Sequence, residues 1–284
     1  MKAYKELVEK VLTEGTLKKN RTGIDSISVT GLSISHDLRE GFPLLTTRKI
    51  FIRGILVELE AFIKGISSKK WLQERGCNFW NSWANPKKAP YGHDEESKKR
   101  MFEENDLGRY YGVQWNSWKG YNGEYHNQIK SIVETLKSDP YSRRMLCSSW
   151  NVGDFEEMSL LPCCFAYQVI SDGTFLDLVW YQRSSDLARG NPTNLAHHSI
   201  LLMLFAKEVN LIARKVTGFI GDAHVYVNQV EGLKKQLEYP TLKLPTVEIP
   251  NENWKGIFEW TYKDFILKDY IYNKDKIDLG EIAV

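Results

Sequence analysis

Apolar positions recur at helical spacing from the start of the chain. Tyr4, Leu7, Val8, Val11 and Leu12 fall on one face of a helix over 3–12, and Gly15 follows where that helix would stop. Residues 26–36 alternate instead, in the manner of two strands joined by a turn at Gly31. Ile55, Leu56, Leu59, Phe62 and Ile63 mark a second amphipathic helix over 53–65. The pattern lapses over 85–106, which is polar and charged and reads as a surface loop or insertion. A helix over 127–137 must end before Pro140, because the residue ahead of a proline is pushed out of the helical region.

Strand-like runs follow at 144–150, 165–171 and 174–182, the last two joined by a turn at Asp172-Gly173. A strongly apolar helix is predicted over 194–209, then strands near 215–220 and 224–227, a helix near 228–237, and strands near 242–248 and 257–262. No repeat, linker or domain boundary interrupts the series. Mixed elements without regular strand–helix–strand alternation predict one α+β domain over residues 1–284.

Composition narrows the function. The 284 residues are 42% hydrophobic, ample for a packed core, and the net charge is only +2. Lys and Arg are interspersed with Asp and Glu, so extended nucleic acid is not an expected partner, whereas a small anion held by a few Arg is. No apolar run reaches membrane-spanning length, and residues 1–15 do not read as a secretory signal. Cys77, Cys147, Cys163 and Cys164 form no CxxC pair, which predicts a reduced, cytoplasmic setting and no metal site.

Three stretches could carry chemistry. Leu161-Pro162-Cys163-Cys164 places a thiol just before a strand. Such a cysteine is commonly buried and inert, but positive charge from Arg143, Arg144 or Arg183 would favour the thiolate if folding brought them together. Tyr181 to Asp186 and Arg189 to Asn194 form a dense polar run between an apolar strand and an apolar helix. It is suited to phosphate and a base edge, or else is a solvated loop capped by Asn194. Alternation puts Asp222, His224 and Tyr226 on one strand face, either a ligand surface or the setting of a satisfied core histidine.

The motifs in combination resemble the thymidylate synthase family over nearly the whole chain. The matching pieces are Arg21-Thr22-Gly23, Phe42 to Thr47, Trp80 and Trp83, Tyr111-Gly112, Asp139 to Arg144, Trp150-Asn151, Pro162-Cys163, Gln182-Arg183-Ser184 with Asp186, Gly190 with Pro192 and Asn194, and Gly221-Asp222 with His224 and Tyr226. The terminal Ile282-Ala283-Val284 is similar to that family's C-terminus. The resemblance implies a mixed, mainly antiparallel sheet packed by helices, with one sheet face used for dimerisation.

It also implies a reaction. Cys163 would add to C6 of dUMP, and C5 would then take one carbon from 5,10-methylenetetrahydrofolate, a route that divides one difficult step into easier ones. Glu58, Tyr111, Asp186 and Asn194 would assist. Arg21, Arg183, Ser184 and Gln182 would bind the nucleotide together with Arg143 and Arg144 from the second subunit of a homodimer. Asn194 would read the uracil edge, and His224 and Tyr226 would hold the sugar. Trp80, Trp83, Asp186, Arg189, Gly190, Thr193 and Val284 would line the folate site.

The sequence departs from that family at four places. Cys164 stands where His is usual and Asn81 where an acid is usual. His197 and His198 stand where small or aromatic residues are common, and are read as surface residues. Arg189 and Thr193 replace a Leu and a Phe on the expected folate wall. A wetter wall would favour water addition to the exocyclic methylene, giving 5-hydroxymethyl-dUMP in place of dTMP. The retained Trp80, Trp83 and terminal Ala283-Val284 favour methylation, which leads. A catalytically silent nucleotide- or RNA-binding relative is disfavoured by the presence of Cys163 and the arginines, and a CMP or dCMP hydroxymethylase by Asn194.

Overall fold

The computed structural model describes residues 1–20, 22–81, 95–96, 99 and 105–282. Helix α1 (Lys2–Glu14) buries Tyr4, Leu7, Val8 and Val11, the predicted face. Strands β1 (Thr16–Lys18) and β2 (Ser26–Asp37) follow, then α2 (Ile52–Lys64), α3 (Lys69–Glu74) and α4 (Tyr111–Asn116). A small hairpin of β3 (Trp118–Lys119) and β4 (Tyr125–His126) leads to α5 (Gln128–Ser138) and β5 (Leu146–Ser148). Next come β6 (Cys164–Ser171), β7 (Phe175–Asp186), α6 (Gly190–Glu208), β8 (Ile212–Tyr226) and α7 (Val230–Glu238). Strands β9 (Thr246–Glu248) and β10 (Ile266–Lys268) form a second small ladder.

The main sheet runs β1-β2-β8-β7-β6-β5. Every pairing in it is antiparallel except β7 with β8, which are parallel and joined through α6. This is a mixed α+β architecture with a mainly antiparallel sheet, as the resemblance implied. Helix α6 is apolar on all sides and is buried along most of its length, the signature of a helix passing through a core. Along β7, Leu176, Leu178, Trp180 and Gln182 are buried at every second position, so one face of the sheet packs against the core. The other face carries Trp150, Phe165, Tyr181 and Phe219 in a row of ring contacts, with Phe219 half exposed.

Several sequence expectations need correction. No turn interrupts 26–36: β2 is one 12-residue strand. Gly31, at φ +71°, only kinks it, and pairing with β8 resumes at Leu32. The strands expected near 215–220 and 224–227 are likewise one 15-residue strand. The strand expected over 257–262 is absent, and the pairing partner of β9 is β10, farther along. Helix α6 begins at Gly190, so Asn194 lies in its first turn and is not its cap. Most of 85–106 lies outside the described residues.

Candidate active site

The site lies where β6, β7 and β8 run beneath the start of α6. Backbone pairing brings its parts together. The Arg183 N–H donates to the Cys163 carbonyl at 2.9 Å, Ser184 faces Asp222, and Asp186 faces His224. Residues 163, 183–186 and 222–226 therefore form one continuous patch although they span 64 positions of sequence.

Cys163 is partly exposed and precedes β6. Its backbone N–H donates to the Tyr111 hydroxyl oxygen at 2.6 Å. The Arg183 guanidinium lies 3.9 Å from the sulfur and donates to the carbonyls of Pro162 at 3.0 Å and Leu161 at 3.1 Å. Arg183 thus fixes the loop that carries the thiol and sets a permanent positive charge beside it, the environment that favours a nucleophilic sulfur. The other three thiols differ. Burial pushes Cys77 up to about 12, raises Cys147, and raises Cys164, whose neighbour Cys163 adds to the effect.

Three helices close the opposite side. Each presents one polar group and, one turn deeper, a ring. On α2 these are Glu58 and Phe62, on α4 Tyr111 and Trp115, on α6 Asn194 and the pair His197-His198. The rings interlock: Phe62 stacks on Tyr111 at 5.0 Å and meets Trp115 and His197 edge-on at 5.4 and 5.3 Å. Trp80 packs against the same group and donates its indole N–H to Glu58 at 2.8 Å. Burial in this aromatic setting raises Glu58 to about 7, against the opposing pull of the Trp80 hydrogen bond. Burial also holds Tyr111 well above the ordinary phenol range, with the nearby Cys163 adding to it.

His197 and His198 are buried, contrary to their reading as surface residues. His198 stacks on Trp180 at 4.9 Å, and its Nδ1 meets the Asn194 carbonyl at 2.7 Å. Burial lowers His198 to about 4 and His197 well below its ordinary value.

On the sheet side, Asp222 lies between the His224 imidazole and the Lys18 ammonium. Its Oδ1 meets His224 Nδ1 at 3.0 Å and its Oδ2 accepts from Lys18 Nζ at 3.1 Å. The His224 hydrogen bond, assisted by Lys18, lowers Asp222 to about 2. An ionised carboxylate only accepts, so His224 Nδ1 carries the proton and Nε2 is left as an acceptor. Tyr226 packs edge-on against His224 at 5.1 Å. The three residues do share a face. Lys18 was not identified in the sequence, and with the partners 204 positions apart no local pattern marks it.

The turn between β7 and α6 is fixed by several hydrogen bonds. Asp186 Oδ1 accepts from the N–H groups of Ala188 at 2.8 Å and Arg189 at 3.3 Å, and Oδ2 accepts from Gln229 at 3.2 Å. The Leu187 carbonyl accepts from the Tyr4 hydroxyl, and that of Ala188 from Arg48. Thr193 and the outer nitrogen of Arg189 are bonded to backbone carbonyls, while Arg189 Nε is buried with no hydrogen-bond partner among the described residues. The Thr193 hydroxyl donates to the Arg189 carbonyl at 3.1 Å, and Arg189 Nη2 donates to the Gly280 carbonyl at 2.6 Å. Gln182 is buried and internally bonded, accepting from Trp180 and donating to the Ser184 carbonyl.

Some expected residues are not gathered here. Arg143 and Arg144 are exposed on the approach to β5, and among the described residues no hydrogen bond or ion pair ties them to Cys163. Arg21, Trp83 and Val284 lie outside the described residues. Among the described residues there is no group of three or more side chains able to hold a metal, and no helix long and apolar enough to cross a membrane. The thymidylate synthase family matches residues 2–283. That match covers all but the terminal residues, so the chain belongs to the thymidylate synthase family, one-carbon transferases that act on dUMP with methylenetetrahydrofolate as cosubstrate.

Proposed function

We propose that this chain performs reductive methylation of dUMP to dTMP through a covalent bond between Cys163 and C6. The observation that carries the reading is the setting of Cys163, a partly exposed sulfur 3.9 Å from a guanidinium, with its backbone held by Tyr111. In the proposed mechanism the thiolate attacks C6 and the electron pair of the C5–C6 bond moves to C5. C5 takes the one-carbon unit and loses its proton, tetrahydrofolate departs to leave an exocyclic methylene, and a hydride from that tetrahydrofolate reduces it as Cys163 leaves C6, giving dTMP and dihydrofolate. Glu58, near neutrality at about 7, can hold or release a proton at working pH, the property a general acid–base needs. Tyr111 stays protonated and can orient the water that accepts the C5 proton.

Binding roles follow the same patch. Arg183 and Ser184 would meet the phosphate with Arg21, since planar guanidinium groups suit a dianion. Asn194 would pair with O4 and N3–H of uracil, because its amide both donates and accepts. His224 Nε2 and Tyr226 would take the 3′ hydroxyl. Trp80, Asp186, Gly190 and Thr193 fit the cosubstrate's ring system, with an apolar indole on one side and a rigid turn on the other. Trp83 and Val284 complete that assignment.

Two copies would pair through the uncovered sheet face with its row of Trp150, Phe165, Tyr181 and Phe219, as an exposed aromatic patch of this kind suggests. Gln168 ties that face to the arginines, accepting from Tyr181 and donating to the Arg143 carbonyl. Arg143 and Arg144 would then reach the partner's phosphate site. Four free thiols favour a cytoplasmic setting.

Methylation is preferred to hydroxymethylation because the Thr193 hydroxyl and Arg189 Nη2 are bonded to backbone carbonyls and Arg189 Nε is buried, so the two residues add little wetting to the wall. The test incubates protein with dUMP and methylenetetrahydrofolate, identifies the nucleotide by mass and follows dihydrofolate by absorbance. Formation of dTMP with matching dihydrofolate supports the proposal. A hydroxymethylated product without dihydrofolate replaces it, and absence of a 5-fluoro-dUMP adduct at Cys163 would remove the covalent route altogether.

A further inference from the structure

Arg189 stands where the family resemblance expects an apolar side chain, and its side chain contacts the C-terminal segment. Nη2 donates to the carbonyls of Gly280 at 2.6 Å and Leu279 at 3.4 Å. Its Nε is buried with no hydrogen-bond partner among the described residues, so the guanidinium is held under the tail and not extended into solvent. The backbone N–H of the same residue is tied to Asp186, and its carbonyl accepts from Thr193. One residue therefore joins the over-determined turn after β7 to the C-terminal segment.

That segment is itself closely seated. Leu279 is buried in the core, and Asn228 Nδ2 donates to the Glu281 carbonyl at 3.1 Å. The Asp278 carbonyl presses on Gly232 of α7 so closely that a Cβ there would lie 1.8 Å from the oxygen. Among the described residues, the one charged side chain that donates to the strap's carbonyls is Arg189. A cation donating to carbonyls makes a stronger hydrogen bond than a neutral donor does.

We propose that Arg189 is a positioning residue that pins the strap of residues 277–281 onto the turn bearing Asp186, so that this wall of the one-carbon pocket is assembled before any ligand binds. The location of the pocket rests on the function proposed above; the pinning does not. An apolar residue at this position could only pack against the strap, whereas Arg189 fixes its backbone in register through two carbonyls.

Hydrogen exchange of the ligand-free, full-length protein tests the pinning directly. In Arg189→Met, amides of 277–282 should exchange about tenfold faster or more, with exchange in β7 and β8 unchanged. Arg189→Lys keeps the charge but loses the fork and should fall between the two. Gly232→Ala dislodges the strap by collision without touching Arg189 and should reproduce the Met variant. In turnover, Arg189→Met should raise KM for methylenetetrahydrofolate severalfold more than KM for dUMP, and Arg189→Lys should recover part of that rise. Exchange of the strap in a folded Arg189→Met protein equal to that of the parent overturns the proposal, and so does an equal rise in both KM values. Faster strap exchange in a protein without any one-carbon transfer activity would uphold the pinning and remove the proposed reaction instead. Should the Met variant not fold, the Lys variant supplies the same exchange readout at smaller amplitude, and no change in it overturns the proposal.

Discussion

Two carboxylates border the same site and are driven in opposite directions. Glu58 lies among Phe62, Trp80 and Tyr111, takes one hydrogen bond from an indole, and is raised to about 7. Asp222 lies on the sheet between His224 and Lys18 and is lowered to about 2. The difference is a matter of partners. Burial without a countercharge favours the neutral acid, and a hydrogen-bonded cation favours the ion. The helical wall thus holds a proton that can move at neutral pH, and the sheet wall holds a charge that cannot. Such a division assigns proton transfer to the first and orientation to the second.

The largest effect that would break this comparison is in Glu58→Gln. Loss of the mobile proton should lower kcat by roughly 10²-fold or more with a much smaller change in dUMP binding. Stability should move the other way. A carboxyl whose folded value of about 7 lies above its ordinary 4.5 loses stability as pH rises through that window, because the unfolded chain ionises first. Glu58→Gln should therefore gain about 2 kcal/mol over the parent at pH 8 and little at pH 4.5, read by urea unfolding at both pH values.

The same burial rule acts on a base with the opposite sign. His198 is neutral in the fold and lowered to about 4, so between its ordinary 6.5 and 4 the unfolded chain binds the proton first. Stability from this group is present above pH 6.5 and is lost as pH falls toward 4. His198→Phe, which keeps the stacking on Trp180, should reduce that acid loss by about 2 kcal/mol, measured as the parent-minus-variant difference between pH 7 and pH 4.5. An unchanged difference would mean that His198 is solvated.

Legibility in the sequence followed the range of the interactions. The face of α1, the face of α2 and the β6–β7 hairpin depend on spacings of a few residues and were readable. Gly31 misled because a glycine with positive φ serves a kink as well as a turn, and only the register with β8 distinguishes them. The His197-His198 pair misled because polar residues near a helix start usually face water. What buries them is the packing of α2 and α4 on His197 and of Trp180 from β7 on His198, and no window on α6 contains that information. The Lys18–Asp222 contact joins residues 204 positions apart, and Arg189 meets the strap 90 positions away. Cys163, Arg183, Asp222 and His224 stood out as a set only through the family resemblance.

Breaking the sheet wall should cost less than breaking the helical one. In Asp222→Asn the side chain no longer requires the proton on His224 Nδ1, so Nε2 is no longer held as an acceptor for the sugar. Affinity for dUMP should fall about tenfold. Affinity for 2′,3′-dideoxyuridine monophosphate, which has no 3′ hydroxyl, should change less than about twofold. Calorimetry with both nucleotides reads the contrast, and equal losses would make Asp222 merely structural.

The smallest effect belongs to Lys18. Its side chain is 42% exposed and that of Asp222 is 37% exposed, so water and salt screen their attraction. His224 remains to orient the carboxylate when Lys18 is removed. Lys18→Met should therefore change thermal stability by at most about 0.5 kcal/mol and KM for dUMP by about twofold, and both differences should shrink in about 0.5 M salt. A loss as large as that of Asp222→Asn, persisting in salt, would show that Lys18 and not His224 fixes the carboxylate, and that the charge on the sheet wall depends on the strand at the edge of the sheet.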